Sequence, residues 1–375
     1  MKNKGKWVQS LALIVTSAMV LAACGSKEAA TTTTAPAATA AATATATPAA
    51  TAAATSAAVI TPETKDVTLV GVRDAQISSQ QIIADKLGYF KEAGLNVTSQ
   101  LIESGPDIGP MVAGGSAPVS IQTNFMDIIL KSSNVPVKIV APLAQIAGTQ
   151  AVVGSKKLEL KSAKDLEGKT IGIPNGADVK IAIDNMGKEL GVDVSKIKYV
   201  NLAPSDAVVA LQKGDIDAMA CWEPFITKAI QGGGKFLFSG TKSELPDKKG
   251  NVNWMSVHTT IQVSDDYIKK NPNTIKAILA ALKKATDYIN INRKDAIKIL
   301  APELHLSEEE LTQIMDRNVY AMVVDDTYVN GSNGAPVGDY LKAVGNIKTV
   351  PKADSYHDLS LLKAVDPGLI KVELK

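Results

Sequence analysis

From Val67 onward, short apolar runs alternate with longer stretches in which apolar residues recur every three or four positions. Residues 67–72, 95–102, 119–122 and 137–143 have the length and β-branched content of strands. Between them, 78–88, 108–113 and 125–131 read as helices. The rhythm restarts after Ser162, with strands at 169–173, 197–200, 218–222 and 235–238 and helices at 178–190, 205–213 and 224–231. Short strands separated by helices predict an α/β chain with two mainly parallel, doubly wound sheets. Residues 254–263 are extended, and helices follow over 265–291, 294–300 and 307–322. With no further sheet to cover, those helices are expected to pack on the first lobe. The chain then crosses between lobes near 151–154 and again near 253–260, which makes a hinge. The expected boundaries are 63–153 and 254–375 for lobe I and 154–253 for lobe II.

The first sixty residues follow other rules. Lys2, Lys4 and Lys6 precede an apolar run over 8–20, closed by Leu21-Ala-Ala-Cys24. A basic start, a short apolar stretch and small residues before a cleavage point predict an export signal over 1–23. The run is too short for a span of about 20 residues. Its end resembles the lipobox of bacterial lipoproteins, which implies a diacylglycerol on the Cys24 thiol and an anchor outside the cytoplasm. Residues 29–58 are all Ala or Thr except Pro36, Pro48 and Ser56. Such a stretch cannot bury enough surface to offset its ordering entropy, so 24–62 reads as a lipidated, flexible linker.

Composition narrows the function class. Lys and Arg number 40 against 38 Asp and Glu in 375 residues, a net charge of +2, which argues against a nucleic-acid partner. Cys24 and Cys221 are the only cysteines, so a lipidated Cys24 leaves Cys221 without a partner and the fold without a disulfide. The roughly 315 residues from Thr61 onward are enough for two lobes with separate cores.

Five segments in fixed order carry a family likeness: 86–97 (Lys86-Leu-Gly-Tyr-Phe-Lys-Glu-Ala-Gly-Leu-Asn-Val97), 136–141, 166–174, 211–218 and Trp222-Glu-Pro-Phe225. In these the chain resembles the nitrate/sulfonate/taurine group of periplasmic-type solute-binding proteins that serve ABC importers. One departure is Pro118, which stands where the family has an acidic residue ahead of a strand. The resemblance implies a two-lobed periplasmic-binding-protein-like (type II) fold and a monomer. It also implies capture of a small organic solute, an aliphatic sulfonate or taurine-like compound first and a thiamine-type pyrimidine precursor or other nitrogen compound second. The partners implied are a membrane permease and its ATPase, with no cofactor and no chemistry on the ligand.

Ligands of such sheets bind outside the carboxyl ends of strands, which selects candidate residues. Arg73, Asp74, Gln76 and Ser78 follow the first strand; Arg73 offers paired donors to an oxyanion, or pairs with Asp74 or Glu103 at the rim. Gln122, Thr123 and Asn124 stand at a helix entrance, and Gln145 lies beyond the fourth strand. In the second lobe Asn175, Gly176, Ala177 and Asp178 lead from strand to helix, Asn175 or Asp178 as ligand contact or as helix cap. Trp222 and Glu223 end a strand, and Trp254 lies on the returning hinge segment. Arg73 is positive while Asp74, Asp178 and Glu223 are negative, a mixture that leaves the substrate open. His258, His305 and His357 are too scattered for a metal site, and Gly232-Gly-Gly-Lys235 lacks the Ser or Thr and the following helix of a phosphate loop. An enzyme of the same fold that makes the thiamine pyrimidine carries a cysteine-rich signature absent from this chain. A lipid-anchored sensor shares every feature of an importer subunit.

Overall fold

The computed structural model describes residues 61–332 and 335–374. The export signal, Cys24 and almost all of the linker therefore lie outside the described residues. Thirteen strands form two sheets: β1 (Asp66–Val72), β2 (Asn96–Ile102), β3 (Val119–Thr123), β4 (Val137–Gln145), β5 (Gln150–Gly154), β6 (Thr170–Ile173) and β7 (Lys198–Asn201), then β8 (Ala218–Trp222), β9 (Lys235–Ser239), β10 (Lys242–Leu245), β11 (Lys248–Asn251), β12 (His258–Ser264) and β13 (Val319–Tyr320). The first sheet runs β13-β4-β12-β3-β1-β2 and the second β11-β10-β9-β5-β8-β6-β7.

Both sheets are mixed, where mainly parallel ones were expected. Parallel pairs join β1 to β2 and β3, and β6 to β7 and β8. Into each parallel core one antiparallel strand arrives from the other sheet: β12 between β3 and β4, and β5 between β8 and β9. These inserted strands are the two crossings themselves, continued into ladders. β3, β5 and β8 are buried throughout, as covered central strands must be, and the edge strand β2 alternates in exposure.

The first crossing is Ile146–Gln150, several residues ahead of the expected position, and β5 already belongs to the second sheet. Gly240 sits where the two crossings meet: its N–H donates to the Gln150 carbonyl, and its own carbonyl accepts from Trp254 and Met255. A Cβ there would come within 2.6 Å of the Ala147 carbonyl oxygen, so only glycine allows the approach.

Helix Pro272–Ile291 packs on helices Ser79–Lys86 and Tyr89–Glu92, which returns the late helices to the first sheet. The expected single helix over 265–291 is two, Asp265–Lys270 and Pro272–Ile291, because Pro272 lacks an N–H and opens a new helix instead of continuing the old one. The helix expected over 307–322 stops at Met315, and Val319–Tyr320 pairs with the edge of β4. Its start is held by a capping box in which Ser307 and Glu310 bond each other's backbone N–H. Among the described residues no helix is long and apolar enough to cross a membrane.

Candidate functional site

The loop after β1 decides which of its side chains face inward. Asp74 Oδ1 accepts from the backbone N–H of Gln76 at 2.9 Å and Ile77 at 2.7 Å, an Asx-type turn ahead of helix Ser79–Lys86. The Tyr320 hydroxyl donates to the Ala75 carbonyl at 2.7 Å and the Ser79 hydroxyl to the same oxygen at 2.6 Å, which pins the turn from behind. Asp74 is thereby 1% exposed, while its neighbour Arg73 points to the surface and donates to the Glu303 carbonyl at 3.2 Å.

Asp74 lines a narrow, partly open pocket of about 30 Å³ to which both lobes contribute. From the first lobe come Gln76, Gln122, Thr123 and Met126, with Gly105 and Pro106 beyond β2. From the second come Gly176, Ala177 and Asp178 after β6, Trp222 at the end of β8, and Gln150 at the start of β5. The cavity thus sits at strand carboxyl ends of both sheets, the position expected for a ligand of this architecture.

Gln76 ties the walls together. Its Nε2 donates to the Glu223 carbonyl at 3.2 Å, and its Oε1 accepts from Gln150 Nε2 at 3.0 Å and from the Thr149 hydroxyl. Gln122 Nε2 donates to the Gly105 carbonyl, and the Thr123 hydroxyl donates to the Asp178 carboxylate.

The electrostatics are acidic. Burial pushes the Asp74 carboxyl up to about 7, against the Ile77 and Gln76 N–H groups that favour its charge, and Asp178 adds repulsion. Burial likewise raises Asp178 to about 6, opposed by the Thr123 hydroxyl. Four polar atoms on the cavity wall have no partner: Asp74 Oδ2, Asp178 Oδ2, Gln150 Oε1 and Trp222 Nε1. Beneath them Cys221 is fully buried and unpaired, its thiol pushed up by burial, which makes it an inert core residue.

Of the residues expected to line the cleft, Asp74, Gln76, Gln122, Thr123, Gly176, Ala177, Asp178 and Trp222 meet around this cavity. Seven others do not line it. Arg73 is on the surface for the reason given above. Ser78 is buried behind the loop, where its hydroxyl would meet any Cβ on Gly71. Asn124 accepts from the His258 N–H at 3.3 Å inside the first lobe. Gln145 lines a separate groove beside Asn253 and Ser256. Asn175 is exposed, its N–H held by the Asn201 side chain at 2.9 Å. Trp254 is core: it stacks edge-on with Phe238, and its indole N–H reaches Glu189 at 2.7 Å. Glu223 faces the other side of its strand end, where Oε1 accepts from Arg317 at 2.6 Å and Oε2 from the Thr227 N–H at 2.9 Å.

Sequence reasoning missed Gln150, which stands just ahead of the crossing expected near 151–154 and begins β5. A wider groove lies on the Glu223 side, lined by Gln231, Glu310 and Arg317 among others. Its buried carboxylate is fully bonded, so it offers a ligand no unpartnered buried group. Among the described residues no cluster of His, Cys, Asp or Glu has the arrangement of a metal site.

A family model described as NMT1/THI5 like matches residues 78–296. A taurine-binding periplasmic protein of Escherichia coli is 24% identical over 245 residues, 64% of this chain and 72% of the relative. A 4-amino-5-hydroxymethyl-2-methylpyrimidine phosphate synthase of Saccharomyces cerevisiae is 27% identical over 213 residues, 55% of this chain and 62% of that enzyme. Among solved structures, the periplasmic aliphatic sulphonate binding protein SsuA of Escherichia coli superposes with a TM-score of 0.62 at 16% identity, covering 79% of this chain and 92% of that one. The periplasmic nitrate-binding protein NrtA of Synechocystis gives 0.60 at 15% identity, covering 82% and 90%. The fold is therefore that of the periplasmic binding proteins.

Proposed function

Because the chain belongs to the NMT1/THI5-like family, we propose that it is the solute-binding subunit of an ABC importer, which closes its lobes on a small organic molecule and releases it unchanged. One observation carries this reading: strand ends of both sheets converge on one narrow pocket whose wall holds buried, unpartnered polar atoms. A ligand that contacts both lobes stabilises the closed form by its differential contacts, which is what a receptor needs and a turnover site does not. The inert Cys221 and the absence of any histidine from the cavity wall weigh against an enzyme like the synthase relative. Delivery to a membrane permease driven by an ATPase follows the family likeness. Export by residues 1–23, a lipid on Cys24, the linker 24–62 and the lobes 63–153 with 254–375 and 154–253 complete the proposed organisation.

The names of the relatives favour an aliphatic sulfonate or taurine-like solute. A nitrogen compound, such as a thiamine-type pyrimidine precursor, is the second reading, and Asp74 and Asp178 on the wall favour it. A thermal-shift screen of sulfonates, nitrate, amines and pyrimidines tests the receptor reading, since a ligand raises the melting temperature by mass action. Recovery of the hit unaltered by mass spectrometry supports it; conversion of the hit contradicts it.

A further inference from the structure

The cavity wall is unbalanced in charge and in hydrogen-bond capacity. Among the described residues it carries two carboxylates, Asp74 from the first lobe and Asp178 from the second, and no Lys, Arg or His. The cations nearest in sequence are turned away. Arg73 bonds the Glu303 carbonyl, Lys180 pairs with Asp184 and lies over the Tyr199 ring, and Arg317 pairs with Glu223. The unpartnered atoms are three acceptors, Asp74 Oδ2, Asp178 Oδ2 and Gln150 Oε1, against one donor, Trp222 Nε1. All four residues are more than nine-tenths buried, with exposures of 1%, 6%, 3% and 5%. Closing two lobes over such a wall is costly unless the occupant brings positive charge and N–H groups.

We propose that this cleft is specific for a compact organic cation, a protonated amine, amidinium or aminopyrimidinium, held between Asp74 and Asp178. The proposal rests on the receptor reading above and deepens it. The cation supplies donors to the three acceptors and screens the two carboxylates from each other, so it favours closure by what it does at both lobes at once. The flat indole of Trp222 forms one wall, and its N–H selects a ligand that also offers an acceptor. A solute bearing only a sulfonate or nitrate finds one donor and two repelling oxygens. A taurine-like zwitterion is held only through its ammonium on the carboxylates, because the Ala177 N–H is taken by the Pro174 carbonyl and the Gln122 amide donates to the Gly105 carbonyl.

The rival arrangement is an oxyanion accepting from protonated carboxyls, and pH separates the two. Protons compete with a cation for these carboxylates and assist an anion. The other ionisable groups packed near the pair are Cys221 and Tyr320, with Glu223 turned away toward Arg317. Burial holds the thiol and the phenol neutral across pH 5 to 8, so the carboxylate pair sets the slope.

The test is calorimetry and thermal shift on the purified chain with propylamine, acetamidine, aminopyrimidine, taurine, ethanesulfonate and nitrate. Propylamine and acetamidine, which stay cationic across this range, should bind, more tightly at pH 8 than at pH 5, whereas aminopyrimidine, which loses its ring proton toward pH 8, should not gain. Asp74→Asn and Asp178→Asn should each weaken that binding about tenfold or more, because each removes a charge-assisted hydrogen bond. Both variants should melt at least as high as the parent without ligand, since each relieves a buried repulsion; this shows they fold. Ethanesulfonate or nitrate binding that strengthens toward pH 5 and survives Asp178→Asn overturns the cation assignment while leaving the receptor intact. Silence of the whole panel, or chemical conversion of a member, counts against the assignment and the receptor together.

Discussion

Arg317 Nη2 donates to Glu223 Oε1 at 2.6 Å, joining the segment after helix Glu308–Met315 on the first lobe to the end of β8 on the second. Glu223 is 1% exposed and Arg317 about a third exposed, so the pair is a half-buried latch between lobes. Gln231 and Glu310 make a second bridge on the same side. The latch lies outside the ligand cavity and ties one lobe to the other.

Arg317→Ala should therefore weaken ligand binding without touching the ligand. A hydrogen bond to a charged group contributes about 1.5–3 kcal/mol, and partial exposure of the arginine places this one near the lower end, about a tenfold rise in Kd. Calorimetry should show the loss of affinity, and surface plasmon resonance should show it mainly as faster dissociation. Unchanged affinity would mean that the latch does not stabilise closure.

Asp74 and Asp178 make stability depend on pH in an unusual direction. Their folded values of about 7 and about 6 lie above 3.8, so the folded protein binds more protons in that window and loses stability as pH rises through it. His258 and His357, held down to about 4 by burial, act oppositely: they favour the folded state more as pH rises from 4 to 6.5. The difference between parent and Asp74→Asn isolates the carboxylate. At pH 8 the variant should melt a few °C higher, on the order of 1–2 kcal/mol, and at pH 4 the gap should close. An equal gap at both pH values would remove Asp74 as its source.

Arg73 lies one residue from the cavity and outside it. Arg73→Ala should leave ligand affinity within about twofold, because an exposed side chain bonding a surface carbonyl contributes little to the closed cavity. A tenfold loss would show that the guanidinium turns inward on binding.

Cys24→Ala should release the chain from membranes and leave affinity for its solute unchanged, since two acyl chains anchor where none can. Membrane fractionation of expressed parent and variant decides this, and a variant that stays membrane-bound would contradict the lipid anchor.

The architecture was legible because its central strands are continuous apolar runs bounded by turn residues. β8, Ala218–Trp222, was placed to the residue on that ground. β5 was not, since Gln150-Ala-Val-Val-Gly154 looks the same whether it spans lobes or pairs within one; its antiparallel insertion is a long-range fact. Within the site, strand-end logic found Asp74, Asp178 and Trp222. It could not tell Asp74 from Arg73, because a loop obeys no alternation and the side chain that turns inward is chosen by the Asx-type turn with Gln76 and Ile77. That turn had a local signal, an Asp two and three residues ahead of its donors and just before a helix. Trp254 was misplaced because its partners, Phe238 and Glu189, are distant in sequence. Glu223 was misplaced because Arg317, 94 residues on, claims it.

The most direct measurement is a distance between the lobes. Spin labels on Lys91→Cys and Lys213→Cys, both exposed and on helices that pack on different sheets, report separation by pulsed resonance, with Cys221 buried out of reach. Addition of the best-binding compound of the panel should narrow the distribution and shorten the mean, and the compound should be recovered intact. A distribution indifferent to ligand would contradict capture by closure.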